Sequence, residues 1–219
     1  MDMDYKKLQE ENERRRASIR GGIEDAKEIR RRLTDKKRFG DDFEFWAERC
    51  VKIRHKLTGR LIPFRLNRAQ KHLLQEMEEM RRGGKPIRVI LLKSRQWGGS
   101  TLIQIYMAWI QIVHRENWHS LICAHVKDTA ATIRGMYSRL LADYPKIYLG
   151  GKAAPEFKGF ERSQNTRELT GRKCRVTIGS AESQDSSRGN DFSMAHLSEV
   201  AFWRTGPSHS PIDMMRAVI

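Results

Sequence analysis

Between Lys93 and Thr101 the chain reads KSRQWGGST: two cations, three hydroxyls and two adjacent glycines, with apolar residues on either side. Adjacent glycines permit a tight turn and let backbone N–H groups approach an anion without a Cβ in the way. A helix starting at such a turn aims its unpaired N–H groups at the same place. Ser100 stands where a hydroxyl can ligate Mg²⁺, and Lys93 at the front of the turn supplies the cation that β and γ phosphates require. Arg95 is a second cation within it. The usual spelling of a phosphate loop has lysine directly before the Ser/Thr, and here that position is Gly99. On these residues alone two readings stay open: a phosphate loop whose lysine sits at its front, or an ordinary strand-to-helix turn.

A phosphate loop that supports hydrolysis needs an acid to polarise water, placed at the end of a hydrophobic strand. SMAHLSEVAFW supplies Glu199, preceded by Ser198, which can hold a metal-bound water but brings no charge. The other reading of Glu199 is a residue that ends a strand. Upstream, in LIPFRLNRAQKHLL, Gln70 falls just inside a helix that follows a proline-led turn. Its amide could donate to and accept from an adenine edge, or simply be a surface glutamine. Arg188, in SSRGNDF, could sense phosphates, contact DNA or be a solvated cation.

These groups need elements to hold them. From Lys85 onward the pattern is α/β. PIRVILLKS reads as a nearly all-apolar strand and STLIQIYMAWIQIVHR as a buried helix. HSLICAHV reads as a strand, and KDTAATIRGMYSRLLADYP as a helix stopped by Pro145. RELTG, KCRVTIGSAES and FSMAHLSEVAFW are further strand candidates. This order predicts a mainly parallel sheet flanked by helices, with ligands at the carboxyl ends of the strands. Residues 43–84 form a helical lead-in and 85–219 the α/β core. Residues 1–42 are a charged arm, read as helices broken at Gly21-Gly22 or as a partly disordered segment, because Leu8, Ile19, Ile23, Ile29 and Leu33 give only a thin apolar stripe.

The chain has 219 residues, 39% of them hydrophobic and 32% charged, which suits one core plus solvated extensions. No apolar run reaches the ~20 residues that span a bilayer. The start lacks the apolar stretch of a signal peptide. Cys50, Cys123 and Cys174 lack metal-ligand spacing and read as buried, reduced thiols of a cytoplasmic protein. The net charge of +15 favours a polyanionic partner such as nucleic acid.

Taken together, LIPFRLNRAQKHLL, LLKSRQWGGSTL, SLICAHVKDTA, SSRGNDFSMAHLSEVAFW and FEFWAERCVKIRHKLTGRLIPF resemble the ATPase domain of the large terminase subunit, the DNA-packaging motor of tailed bacteriophages and prophages. The resemblance runs from about Phe43 to the C-terminus. It implies a P-loop NTPase fold that binds ATP and Mg²⁺ in the host cytoplasm and threads double-stranded DNA into a capsid. In the intact family the motor is a ring-like homo-oligomer working with a small terminase subunit and the capsid portal.

By the same resemblance Gln70 lies in the adenine-binding motif. Lys93, Ser94, Arg95, Gln96, Trp97, Gly98, Gly99, Ser100 and Thr101 form a variant Walker A loop with its lysine at the front. Ser100 and Ser198 are placed at Mg²⁺, and Glu199 is the catalytic carboxylate. Arg95, ahead of Arg188, is the candidate for the arginine that completes the site. Ser198 stands where the family more often has aspartate. The coupling motif and the nuclease domain that follow in the family are not in these residues, so the chain reads as a truncated product or an N-terminal fragment with an incomplete core. The alternatives are a non-hydrolysing basic DNA-binding protein, or a structural remnant, with a vestigial loop.

Overall fold

The computed structural model describes residues 2–55, 57–94, 96–149, 153–182 and 191–203. Its centre is a five-stranded sheet in the order β4-β5-β6-β3-β7. The strands are β3 (His119–Ala124), β4 (Phe157–Phe160), β5 (Ser163–Leu169), β6 (Cys174–Ser180) and β7 (Met194–Leu197). β3 pairs in parallel with β6 on one side and with β7 on the other. β4, β5 and β6 are antiparallel. The sheet is therefore mixed, and the expected parallel character holds only for β6, β3 and β7. After β3 the chain builds strands on one side, then returns to add β7 on the other. At such a reversal the carboxyl ends of the parallel strands are where α/β sheets bind ligands.

The helices are α1 (Asp2–Asp41), α2 (Phe43–Cys50), α3 (Arg68–Arg82), α4 (Gly99–Trp109) and α5 (Lys127–Arg139). A small hairpin of β1 (Lys52–Arg54) and β2 (Leu61–Pro63) lies between α2 and α3. α4 is the apolar helix anticipated from its composition, and it ends in a π turn, Ile110–His114. Leu102 and every residue from Gln104 to Trp109 are buried. The π turn aims Gln111 at the sheet, where its amide nitrogen donates to Ser120 Oγ (2.9 Å) and to the Arg175 carbonyl (2.9 Å). α5 joins the same layer through the Tyr137 hydroxyl, which donates to the Gln104 carbonyl.

Two expectations need correction. Residues 86–94 do not form a strand: 85–94 have no regular structure, Ile90 and Leu92 are fully exposed, and only Leu91 packs on the core. An apolar run becomes a strand only where an edge pairs with it, and no described strand lies beside this one. Nor is α1 broken at Gly21-Gly22, because it runs unbroken for 40 residues. Two glycines cost a helix about 2 kcal/mol together, less than its many good helix formers can offset. The last turns of α1 belong to the core. Phe39 is buried and its carbonyl accepts from Trp109 Nε1, while Asp35 accepts from the Tyr148 hydroxyl.

The three cysteines are buried and unbridged, and burial pushes the Cys50 and Cys123 thiols up to about 12. Among the described residues no helix is long and apolar enough to cross a membrane.

The Glu78 carboxylate is the polar key of the α3–α4 contact. It accepts from Tyr106 (2.6 Å) and from both arms of Arg81 (2.7 Å each). Burial by itself raises its pKa, but those hydrogen bonds and the Arg81 and Arg82 charges outweigh burial and leave it below the usual carboxylate range. Its contribution is thus complete above the pKa of the unfolded chain and is lost as pH falls through the lower folded value. Tyr106→Phe should lower unfolding free energy by about 2 kcal/mol at pH 7. Urea melts at pH 7 and pH 3 check this, with the difference from the native chain shrinking at pH 3.

Candidate phosphate-binding site

The loop before α4 is shaped by two residues in left-handed conformation, Gln96 (φ 63°) and Gly98 (φ 83°). α4 then starts at Gly99 with no side-chain cap and no acid in its first turn. The first closing bond runs from Leu102 N–H to the Gly98 carbonyl. The amides of Gly99, Ser100 and Thr101 are therefore left without helical partners, a donor set suited to an anion.

Both glycines are required. A Cβ on Gly98 would meet Gln70 Nε2 at 2.7 Å, and one on Gly99 would meet Trp97 Cζ2 at 2.6 Å. The second contact gives a physical reason for glycine at the position where lysine was expected: the Trp97 indole covers it. A lysine there would have to displace the ring.

What holds the loop is the N-terminus of α3. Asn67 and Gln70 form a reciprocal capping box, each side chain accepting from the other's backbone N–H at 2.9 Å. Their remaining donors reach across to the loop, Asn67 Nδ2 to the Trp97 carbonyl and Gln70 Nε2 to the Gly98 carbonyl, both at 2.9 Å. Gln70 is 4% exposed. In this structure it acts as a strut, with its oxygen and one N–H already spent. Asn67 was not singled out from the sequence. Its signal was the Asn-x-x-Gln spacing of a capping box ahead of an amphipathic helix.

The second half of the site is the carboxyl end of β7. Ser198 is buried, held by its N–H to the Cys123 carbonyl (2.9 Å) and by Trp203 Nε1 donating to its carbonyl (3.0 Å). Glu199 adopts φ 57° and ψ 38°, a left-handed conformation that non-glycine residues seldom occupy outside constrained sites. It is exposed, and among the described residues its carboxylate makes no hydrogen bond or ion pair.

His196, three residues before Glu199, pairs with Ile122 and shares the face of the sheet on which α4 and α5 pack. It is buried and its Nδ1 has no hydrogen-bond partner among the described residues. Burial first, and the charge of Lys93 second, push its pKa down to about 4. α4, the helix that the loop opens, packs against β7.

The structure thus joins Gln70, Trp97, Gly98 and Gly99 by direct contact, and the helix they open packs against β7. Lys93, Ser94 and Gln96 are exposed, and Ser100 and Thr101 are half-buried in the first turn of α4. Arg95 and Arg188 lie outside the described residues. Among the described residues no group of three or more His, Cys, Asp or Glu is gathered that could hold a metal ion. The available hard oxygen donors are the hydroxyls of Ser100 and Ser198 and the carboxylate of Glu199. That set fits a cation that keeps most of its waters and takes the rest of its ligands from phosphate.

Gly98→Ala combines a left-handed φ with the contact to Gln70 and should cost about 1–3 kcal/mol, read from a shift in the denaturant midpoint. Gln70→Ala should instead loosen the loop locally. Amide exchange would quicken at residues 96–101, while β3 and α5 keep native protection.

No family model and no curated protein matches the chain.

Proposed function

We propose that the chain is an ATP-binding motor domain of the large-terminase type, resting on the resemblance set out above. The observation that carries the reading is the loop itself. A left-handed glycine opens α4, its first amides are uncapped, a capping box on α3 fixes the loop, and α4 packs against a parallel strand followed by an exposed acid.

In this reading the amides of Gly99, Ser100 and Thr101 donate to phosphate oxygens. Lys93 supplies the ammonium that the loop lacks next to Ser100. Mg²⁺ would neutralise charge between β and γ phosphates, with Ser100 as its protein ligand and Ser198 acting through water. Glu199 is solvated and free to orient a water toward the γ phosphorus. Gln70 serves adenine indirectly, by fixing the loop, and keeps one amide N–H to offer. The family's cargo and partners, double-stranded DNA, a small subunit, a portal and a ring of copies, belong to this proposal as well.

One observation favours the second reading, a DNA-binding protein without hydrolysis. α1 exposes a long run of Arg and Lys, while the segment that should feed the loop as a strand is unpaired.

Calorimetric titration with Mg²⁺ and a non-hydrolysable ATP analogue separates the two. The motor reading expects saturable binding, at least tenfold weaker in Lys93→Ala and retained in Glu199→Gln, the latter abolishing any turnover the native chain shows. Absence of binding by a folded chain leaves only the second reading.

A further inference from the structure

A cleft of about 430 Å³ lies where the last turns of α1 meet the body. Four parts of the chain wall it. α1 contributes Arg31, α2 contributes Phe45, Glu48 and Arg49, and β2 contributes Pro63. Pro145 and the short turn Lys146–Tyr148 close the far side with Ile147 and Tyr148. Beneath it the rings pack together: Phe39 meets Tyr148 edge-on at 4.8 Å and Phe45 at 5.8 Å. The cleft shares no residue with the phosphate-binding loop or with β7. Its volume falls in the range of sites that hold small organic molecules, about 300–1,000 Å³.

The polar groups of the cleft are engaged, apart from two guanidiniums. The Tyr148 hydroxyl donates to the buried Asp35 carboxylate at 2.7 Å, and Glu48 accepts from Arg65 at 2.8 Å. Arg49 lies over the Phe45 ring, 4.2 Å from its centroid, and among the described residues has no carboxylate partner. Stacking holds the guanidinium in place without using its N–H donors. Arg31 stands 3.9 Å from Asp35, a loose pair that leaves its terminal nitrogens unengaged among the described residues. Two planar forks from different helices therefore face one cleft with donors to spare, the arrangement that takes a carboxylate. The lining carries two cations and one carboxylate, so a single negative charge balances it. A dianion such as phosphate would be repelled by Glu48. The flat walls at Pro63, Pro145 and Tyr148 suit an aromatic body.

We propose that this cleft binds a small aromatic carboxylate, its anionic group shared between Arg31 and Arg49 and its ring against Pro63, Pro145 and Ile147. Such a ligand ties α1 to α2 and to the turn at Tyr148, and so clamps the root of the 40-residue helix. The inference stands on the cleft alone and is independent of whether the loop binds nucleotide.

The test is calorimetric titration of the full chain with naphthoate, with its neutral amide and inorganic phosphate as controls. The expected result is saturable naphthoate binding with Kd below about 1 mM, at least tenfold weaker in Arg49→Ala and in Arg31→Ala. Both arginines are exposed, so the variants should keep the native circular dichroism spectrum and melting. Overhauser contacts from the naphthyl protons to Pro63 and Ile147 should locate the ring, and amide exchange at residues 28–38 should slow on binding. Absence of saturation by the folded chain overturns the proposal. So does amide or phosphate binding as tightly as naphthoate, or an affinity unchanged in both arginine variants. Displacement of naphthoate by a saturating ATP analogue would also overturn it, by placing the ligand at the loop.

Discussion

The burial of α4 is the constraint on which the other elements depend. A helix enclosed along most of its surface must be covered from every side, and here each neighbour commits one anchoring group to it. α1 offers the Phe39 carbonyl to Trp109, α3 offers Glu78 to Tyr106, and α5 offers the Tyr137 hydroxyl to the Gln104 carbonyl. The π turn at its end fastens Gln111 to β3 and β6. Each buried Leu, Ile, Met or Trp side chain contributes about 1.5–3 kcal/mol. The polar anchors add little to that total but set the rotation and height of the helix. With the helix fixed, its first turn is fixed, and so are the uncapped amides that open it.

That dependence explains why the loop tolerates so little variation. Gly98 must be left-handed to start α4 and must lack a Cβ to admit Gln70, and Gly99 must lack one to admit Trp97. The loop is therefore shaped from outside, by α3 and by an aromatic ring, as much as by its own dihedral preferences. Glu199 presents the same logic in reverse: a strained backbone at the end of a strand whose neighbours are held by Ser198 and Trp203.

Much of this was legible from residue patterns. The apolar-rich run after Gly99 is too long for a strand and read as a buried helix, and the shorter HSLICAHV read as a strand, arbitrated by length rather than by periodicity. The capping box was legible in principle, being a local spacing rule. Three things were not. The segment 86–94 has strand composition but no pairing, and pairing is a property of its neighbours that composition does not encode. The continuity of α1 through two glycines depended on a sum over 40 residues. The double engagement of Gln70 depended on a contact 28 positions away. Sequence separation hid the last of these more thoroughly than chemistry did.

The length of α1 has a hydrodynamic consequence. At 1.5 Å per residue its 40 residues extend about 60 Å, and from residue 12 to 32 nearly every described side chain faces solvent. That stretch therefore stands clear of the body and adds drag without adding much mass. A single copy will diffuse more slowly than a sphere of its weight and leave a sizing column early. Elution volume alone would thus overstate its mass, whereas light scattering would return it correctly. The same rod makes rotational tumbling anisotropic, so that fluorescence depolarisation of a dye on α1 and one on the sheet would report different correlation times.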